Sequence, residues 1–265
     1  MIICADDYGL REDTDRAILE LCNRRTLSAV SCMVLFERCD GGALKRLLAH
    51  EDAVDIGLHL CLTNEGLPLS LSPPENKPPH FKSLLRRTML RQVRPVEILA
   101  QVAAQYRLFT GKCGRRPDFI DGHLYVHQLP GVRQGLLDFV LGLPPGHRPY
   151  IRNTWMPARE LRRRKLPWMK AGLIGAFGAR MKQTLQTAGV PTNDGFAGIY
   201  DFKKWRRYRE YLPKFADCLR HANGILVVHP GFNEDWRRQE FESLRDHAPL
   251  AERLNRFKHR GSLMP

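Results

Sequence analysis

MIICADDYGL, residues 1–10, sets five mostly apolar residues ahead of two adjacent carboxylates, an aromatic and a glycine. An apolar run this short, stopped by polar residues, reads as a buried strand with the acids at its carboxyl end. Two carboxylates side by side repel each other, so the pair predicts a cationic group between Asp6 and Asp7. Outward from this stretch the same form recurs near Val30–Leu35, Val54–Leu58, Phe119–Asp121, Tyr150–Arg152 and Ile225–Val228. The segments between them have helical spacing, and repeated β-α units around a parallel sheet follow from that alternation.

Three helices are readable in detail. Thr14–Arg24 follows Asp13 and places Ala17, Ile18, Leu21 and Cys22 on one side. Pro95 opens a second, with Val96, Leu99, Ala103 and Tyr106 on its expected inner face and Gly111 as its stop. Tyr208, Leu212, Phe215 and Leu219 make a third face, in which Pro213 predicts a local break or a fresh start. Leu67–Pro79 holds five prolines and reads as a loop or lid, and Leu143–Pro149 as a connector. The 265 residues are expected to form one α/β domain with a decorated rim, including a basic amphipathic insertion around residues 155–186.

Hydrophobic content of 43% and charged content of 26% argue against disorder. No apolar run reaches the roughly 18–20 residues that cross a bilayer, and the start lacks the pattern of a secretory signal, so the chain is expected in the cytoplasm. Seven scattered cysteines without a CxxC pair suit reduced thiols. The formal charge of +14 calls for an anionic surface. From Arg159 to Lys182 eight basic residues face one acid, Glu160, and alternate with Leu166, Trp168, Met169, Leu173, Ile174 and Phe177. This segment is read either as a solvated helical insertion or as a contact with anionic membrane on its inner face. Oligomeric state has no signal here; a homodimer is compatible with the sequence.

Parallel strands end on one face, so the residues that follow them become neighbours. Those residues are Asp6 and Asp7, His59, Asp121 with His123, Arg152 and His229. One carboxylate and two imidazoles suit a divalent cation with open positions, which selects Asp7, His59 and His123 as ligands. His127, four residues beyond His123, is the alternative ligand, read preferentially as a supporting or substrate contact. Asp121 is placed to hold an imidazole in one tautomer. Arg152 reads equally as an orienter of Asp6 or as a structural ion-pair partner, and His229 alone could be no more than a strand ending in a proline turn.

ADDYG (residues 5–9), IGLHLCLT (56–63), DGHLYVHQLP (121–130) and VVHPGF (227–232), in this order, resemble the YdjC-like carbohydrate deacetylases. FAGIYDF (196–202) is similar to a stretch found in part of that family. The resemblance implies a deformed (β/α) TIM-like barrel that binds one divalent cation, zinc or magnesium first among the candidates, and removes the N-acetyl group of an amino sugar as acetate. It implies metal ligation by Asp7, His59 and His123, a base in Asp6 and a general acid in His229. The family carries a further histidine where this chain has Tyr125, which bears on substrate contacts. Cation-activated water would attack the acetamide, with Arg152 orienting Asp6 or adding positive potential. Two other classes share some of these features: a two-histidine, one-carboxylate oxygenase, which calls for an antiparallel barrel and an HxD pair, and a nucleic-acid binder, for which no motif is present. The sugar itself, soluble oligosaccharide or lipid-linked, is not written in these motifs.

Overall fold

Every strand residue is buried, on both faces of the sheet, which is why the strands read as unbroken apolar runs and not as alternating ones. The computed structural model describes residues 1–63, 79–219, 223–247 and 253–257. In these the order is β1 (Ile2–Tyr8), α1 (Glu12–Asn23), β2 (Ala29–Cys32), α2 (Gly41–Leu48), β3 (Asp55–Leu60), α3 (Phe81–Met89), α4 (Pro95–Cys113), β4 (Phe119–Gly122), α5 (Val132–Leu141), β5 (Tyr150–Ile151), α6 (Ala158–Arg163), α7 (Met169–Thr187), β6 (Gly195–Ala197), α8 (Tyr208–Cys218), β7 (Gly224–Val228) and α9 (Asp235–Arg245).

The strands form one all-parallel sheet in the order β5-β4-β3-β2-β1-β7-β6. The sheet curls into a half-barrel with helices outside it, an α/β TIM-like fold. Its two edges are stitched together: Ile151 pairs with Thr192, and the Asn153 amide donates to Asn193 Oδ1 at 2.7 Å. Parallel pairing throughout also separates the chain from the antiparallel barrel that the oxygenase reading requires.

Several local expectations change. β1 runs on through both acids to Tyr8, because the strand resumes its pairing with β2 after an irregularity between Ala5 and Tyr8. α4 buries Ile98, Val102, Tyr106, Phe109 and Cys113, while Val96 is 60% exposed. It passes Gly111 and stops at Gly114, which takes the left-handed conformation that suits glycine. α8 runs from Tyr208 to Cys218 through Pro213, which stands inside the helix and not at a break between two. β6, three residues long, was too short to be recognised. The Leu67–Pro79 loop or lid lies, apart from Pro79, outside the described residues.

The basic insertion is not a helix lying apart from the body. α7 buries Ala171, Gly175, Gly178, Met181 and Leu185. It leaves Met169 and Leu173 more than two-thirds exposed, at 73% and 70%. Gly178 makes this docking possible: a Cβ there would lie 2.6 Å from the Thr154 carbonyl carbon and the Trp155 nitrogen, backbone atoms that cannot step aside. Gly178→Ala is therefore expected to destabilise the protein by about 1–3 kcal/mol in chemical denaturation, as overpacking does. A change within roughly 0.5 kcal/mol, typical of a surface substitution, would show that α7 is not seated on this loop.

Candidate functional site

Adjacent residues of a strand point to opposite faces, yet Asp6 and Asp7 both line one cavity. The irregularity in β1 explains it: Asp7 adopts φ 72°, a left-handed conformation that Asp tolerates better than most residues, and turns its carboxylate to the same side as Asp6. β3 contributes His59, in register with Asp121 of β4. His123 opens the turn after β4, followed by Leu124 and Tyr125, both at positive φ. Two consecutive non-glycine residues in this region cost about 1–3 kcal/mol each. Here the strained turn sets His123 toward Asp7 and lines the cavity with Leu124 and Tyr125.

Asp7 Oδ1 lies 3.6 Å from His59 Nε2 and 3.3 Å from His123 Nδ1. One donor atom from each of these three residues falls within 4.8 Å of the others. Asp7 Oδ1 is buried and has no hydrogen-bond partner, as expected of an atom reserved for a cation. His59 Nδ1 donates to Asp121 Oδ1 at 2.6 Å, which Ser31 Oγ also reaches at 2.6 Å. That contact fixes the tautomer and leaves Nε2 facing Asp7. Chemistry and spacing of the donors thus fit a divalent cation.

The acid pair is relieved differently from the expectation of one cation between the two. Each carboxylate has its own guanidinium. Arg152 grips Asp6 in a fork, Nη1 to Oδ1 and Nη2 to Oδ2, both 2.7 Å, and Nη2 lies 2.9 Å from Asp121 Oδ2. Arg237 Nη2 donates to Asp7 Oδ2 at 2.7 Å. Burial pushes the Asp7 carboxyl up, but Arg237 and His123 hold it well below the usual carboxylate range. Against the same upward push, Arg152 and His59 lower Asp121 to about 2. Burial alone would lower His59; Asp121 and Asp6 reverse this and raise it. A second carboxylate and thiol group, Cys4, Asp6 and Asp121, has cation-like spacing too, but the Arg152 guanidinium already fills it.

His229 lines the cavity, its Nε2 4.0 Å from Asp6 Oδ2. Burial lowers it to about 4, so it rests neutral near neutral pH. Behind it Glu240 accepts from the His229 amide at 2.5 Å and from the Tyr200 hydroxyl at 2.7 Å. Arg152 is fully buried and is not among the residues that line the cavity; its fork holds Asp6 in position. His127 is also fully buried; its Nε2 donates to the Arg152 carbonyl at 2.8 Å, so it supports the Arg152 backbone and stands outside the Asp7 group. Sequence reasoning missed Arg237, Glu240, Ser31 and Tyr200. Arg237 lay hidden among the arginines of DWRRQE, and the only signal for Tyr200 was its place in FAGIYDF.

Two measurements test this network. Removing one partner of a buried ion pair strands the other charge, so Arg152→Gln is expected to cost about 3–5 kcal/mol, and adding Asp121→Asn to recover part of it. A loss under roughly 1 kcal/mol would instead describe a solvent-screened pair. Glu240 supplies the second test, because burial raises it from 4.5 to about 7. A folded-state value above the unfolded one favours folding in acid, and that contribution is lost as pH rises through the folded value. The melting temperature of the natural protein should therefore fall relative to Glu240→Gln between pH 4.5 and about 7. Parallel curves would show that this carboxyl ionises normally.

Comparison with known proteins places the chain among relatives. The chain is 28% identical over 261 residues to a carbohydrate deacetylase of Xenopus laevis, covering 88% of this chain and 81% of that one. It is 29% identical over 134 residues to a chitooligosaccharide deacetylase of Enterobacter sp. (strain 638), a match spanning 50% of this chain and 52% of that enzyme. A crystal structure from Enterococcus faecalis V583, provisionally described as a cellobiose-phosphate cleavage protein, superposes with a TM-score of 0.64 at 21% identity, covering 95% of this chain and 92% of that one. Over residues 1–255 the sequence matches the model described as YdjC-like protein, and the chain belongs to that family.

Proposed function

We propose that this chain is a divalent-metal-dependent hydrolase that removes the N-acetyl group of an acetamido sugar and releases acetate. The observation that carries the reading is the unpartnered Asp7 Oδ1, facing two imidazole nitrogens at the floor of a cavity of about 560 Å³. The names of the relatives, carbohydrate and chitooligosaccharide deacetylases, support the same reaction class. Asp7, His59 and His123 would hold the cation, and two imidazoles among three donors weight the choice toward zinc over magnesium. When bound, such a cation supplies Lewis acidity toward a carbonyl oxygen and acidifies water.

The remaining work falls to the chain itself. Asp6, held by the Arg152 fork, keeps lone pairs free on both oxygens and takes a proton from the water that attacks the amide carbon. The C–N bond breaks, acetate leaves, and the sugar nitrogen needs one proton. His229 rests neutral, 4.0 Å from Asp6, and relays that same proton to the nitrogen. Glu240 holds the His229 backbone in place. The exposed Trp168 and Met169, beside the basic run of α6 and α7, make this rim the contact for an anionic membrane surface.

Acetate release from N-acetylated glycans, before and after metal removal and re-addition, tests the proposal. Chelation should abolish release, zinc should restore it, and Asp6→Asn should lower kcat by about 10²–10⁴-fold, the usual contribution of a general base. Release that survives chelation overturns the metal reading, and an unchanged rate in Asp6→Asn overturns the role of Asp6.

A further inference from the structure

The cavity has two unlike parts. Polar groups gather at its floor: Asp6, Asp7, His59, His123 and His229. Phe81 and Leu85 of α3, Leu124 of the strained turn, and Leu173, Ile174 and Phe177 of α7 also line it. A sugar chain binds through its hydroxyls, and each hydroxyl buried against an apolar surface without a partner costs about 1–3 kcal/mol. Other polar side chains line it too: Arg237 is held by Asp7 and Glu234 and Gln128 Oε1 accepts from Thr154, while Gln128 Nε2 is buried without a partner and Tyr125, Lys170 and Trp236 each bring a donor. These polar groups serve a sugar at the floor, whereas the apolar side chains that α3 and α7 bring to the cavity (Phe81, Leu85, Leu173, Ile174 and Phe177) offer no partner to the hydroxyls of further sugars.

The apolar walls are continuous with the surface. Leu173 lines the cavity and is 70% exposed, and Met169, one turn earlier on α7, is 73% exposed beside Trp168 at 43%. The helices that carry these walls are basic: Lys82, Arg86 and Arg87 on α3, with no acid in that helix, and Lys170 on α7, which itself lines the cavity. An apolar cleft joined to an exposed apolar lip with cationic flanks complements an amphiphile from an anionic bilayer. We infer that the cleft between α3 and α7 holds the aliphatic chain of a lipid-linked acetamido sugar, whose single sugar sits on the polar floor. The inference rests on the deacetylase reading and narrows its substrate.

The test uses methyl, octyl and dodecyl N-acetylglucosaminides and chitotriose, with binding followed by calorimetry below micelle concentrations and acetate measured in parallel. Each buried methylene contributes about fourfold in affinity at ~0.8 kcal/mol, so octyl is expected to bind at least roughly a hundredfold tighter than methyl. Leu173→Glu, at a position 70% exposed and so free of the core, should remove at least tenfold of that gain. Equal dissociation constants for methyl and octyl, or chitotriose binding tighter than octyl, overturns the inference while acetate release leaves the deacetylase reading standing. Tight octyl binding, sensitive to Leu173→Glu but without acetate from any glycoside, supports the alkyl cleft and overturns the deacetylase reading instead.

Discussion

The site depends on a buried guanidinium. Arg152, fully enclosed, holds Asp6 through both nitrogens of its fork and Asp121 through one of them, and so ties the carboxyl ends of β1 and β4 to the residue that follows β5. Bringing three charged groups out of water is costly, and an ion pair of this kind adds little net stability over a packed apolar core. What it supplies is placement. Asp121, drawn to Arg152, is also the acceptor for His59 Nδ1, so the guanidinium that positions Asp6 also governs which nitrogen of His59 faces Asp7. Arg237 does for Asp7 what Arg152 does for Asp6, and the two acids can stand together without a mobile counter-ion.

This arrangement explains what was legible in the sequence. Strand ends could be read because buried parallel strands are short apolar runs, and the polar residue that stops each run marks the common face. Asp7, His59 and His123 followed from that rule and from donor chemistry. Arg237 and Glu240 did not, because they reach the site from α9, the helix that follows β7, in a segment whose charges look like an ordinary solvated helix. Arg152 was noticed, but nothing in YIRNT tells a buried fork from a surface pair. The inner face of α4 was misread because its sequence offers apolar residues on two sides, and only packing against the body selects Ile98, Val102, Phe109 and Cys113 over Val96.

The basic segment shows how one stretch can satisfy two readings at once. Its charge marks it as surface, and its glycines mark it as packed. α7 does both, with Gly175 and Gly178 against the loop after β5 and with Met169 and Leu173 open to solvent. Because Ile174 and Phe177 stand on the turns between those two sides, the helix becomes a wall of the cavity, and the residues that cover the chemistry are continuous with those that meet the surroundings.

The bulge in β1 answers why two acids stand side by side. In a regular strand Asp6 and Asp7 would face opposite sides, one toward the cavity and one into the helical layer. The left-handed turn at Asp7 rotates the second carboxylate back, and the shift of register before Tyr8 absorbs the extra residue. A left-handed Asp costs little beside what a carboxylate would lose buried among the apolar residues of α1 without a partner. The same carboxylate then meets Arg237 on one oxygen and leaves the other for the imidazoles. Two chemically identical neighbours thus acquire separate tasks from a single backbone angle: Asp6 keeps both oxygens in the Arg152 fork, beside His229, while Asp7 presents one bare oxygen to His59 and His123.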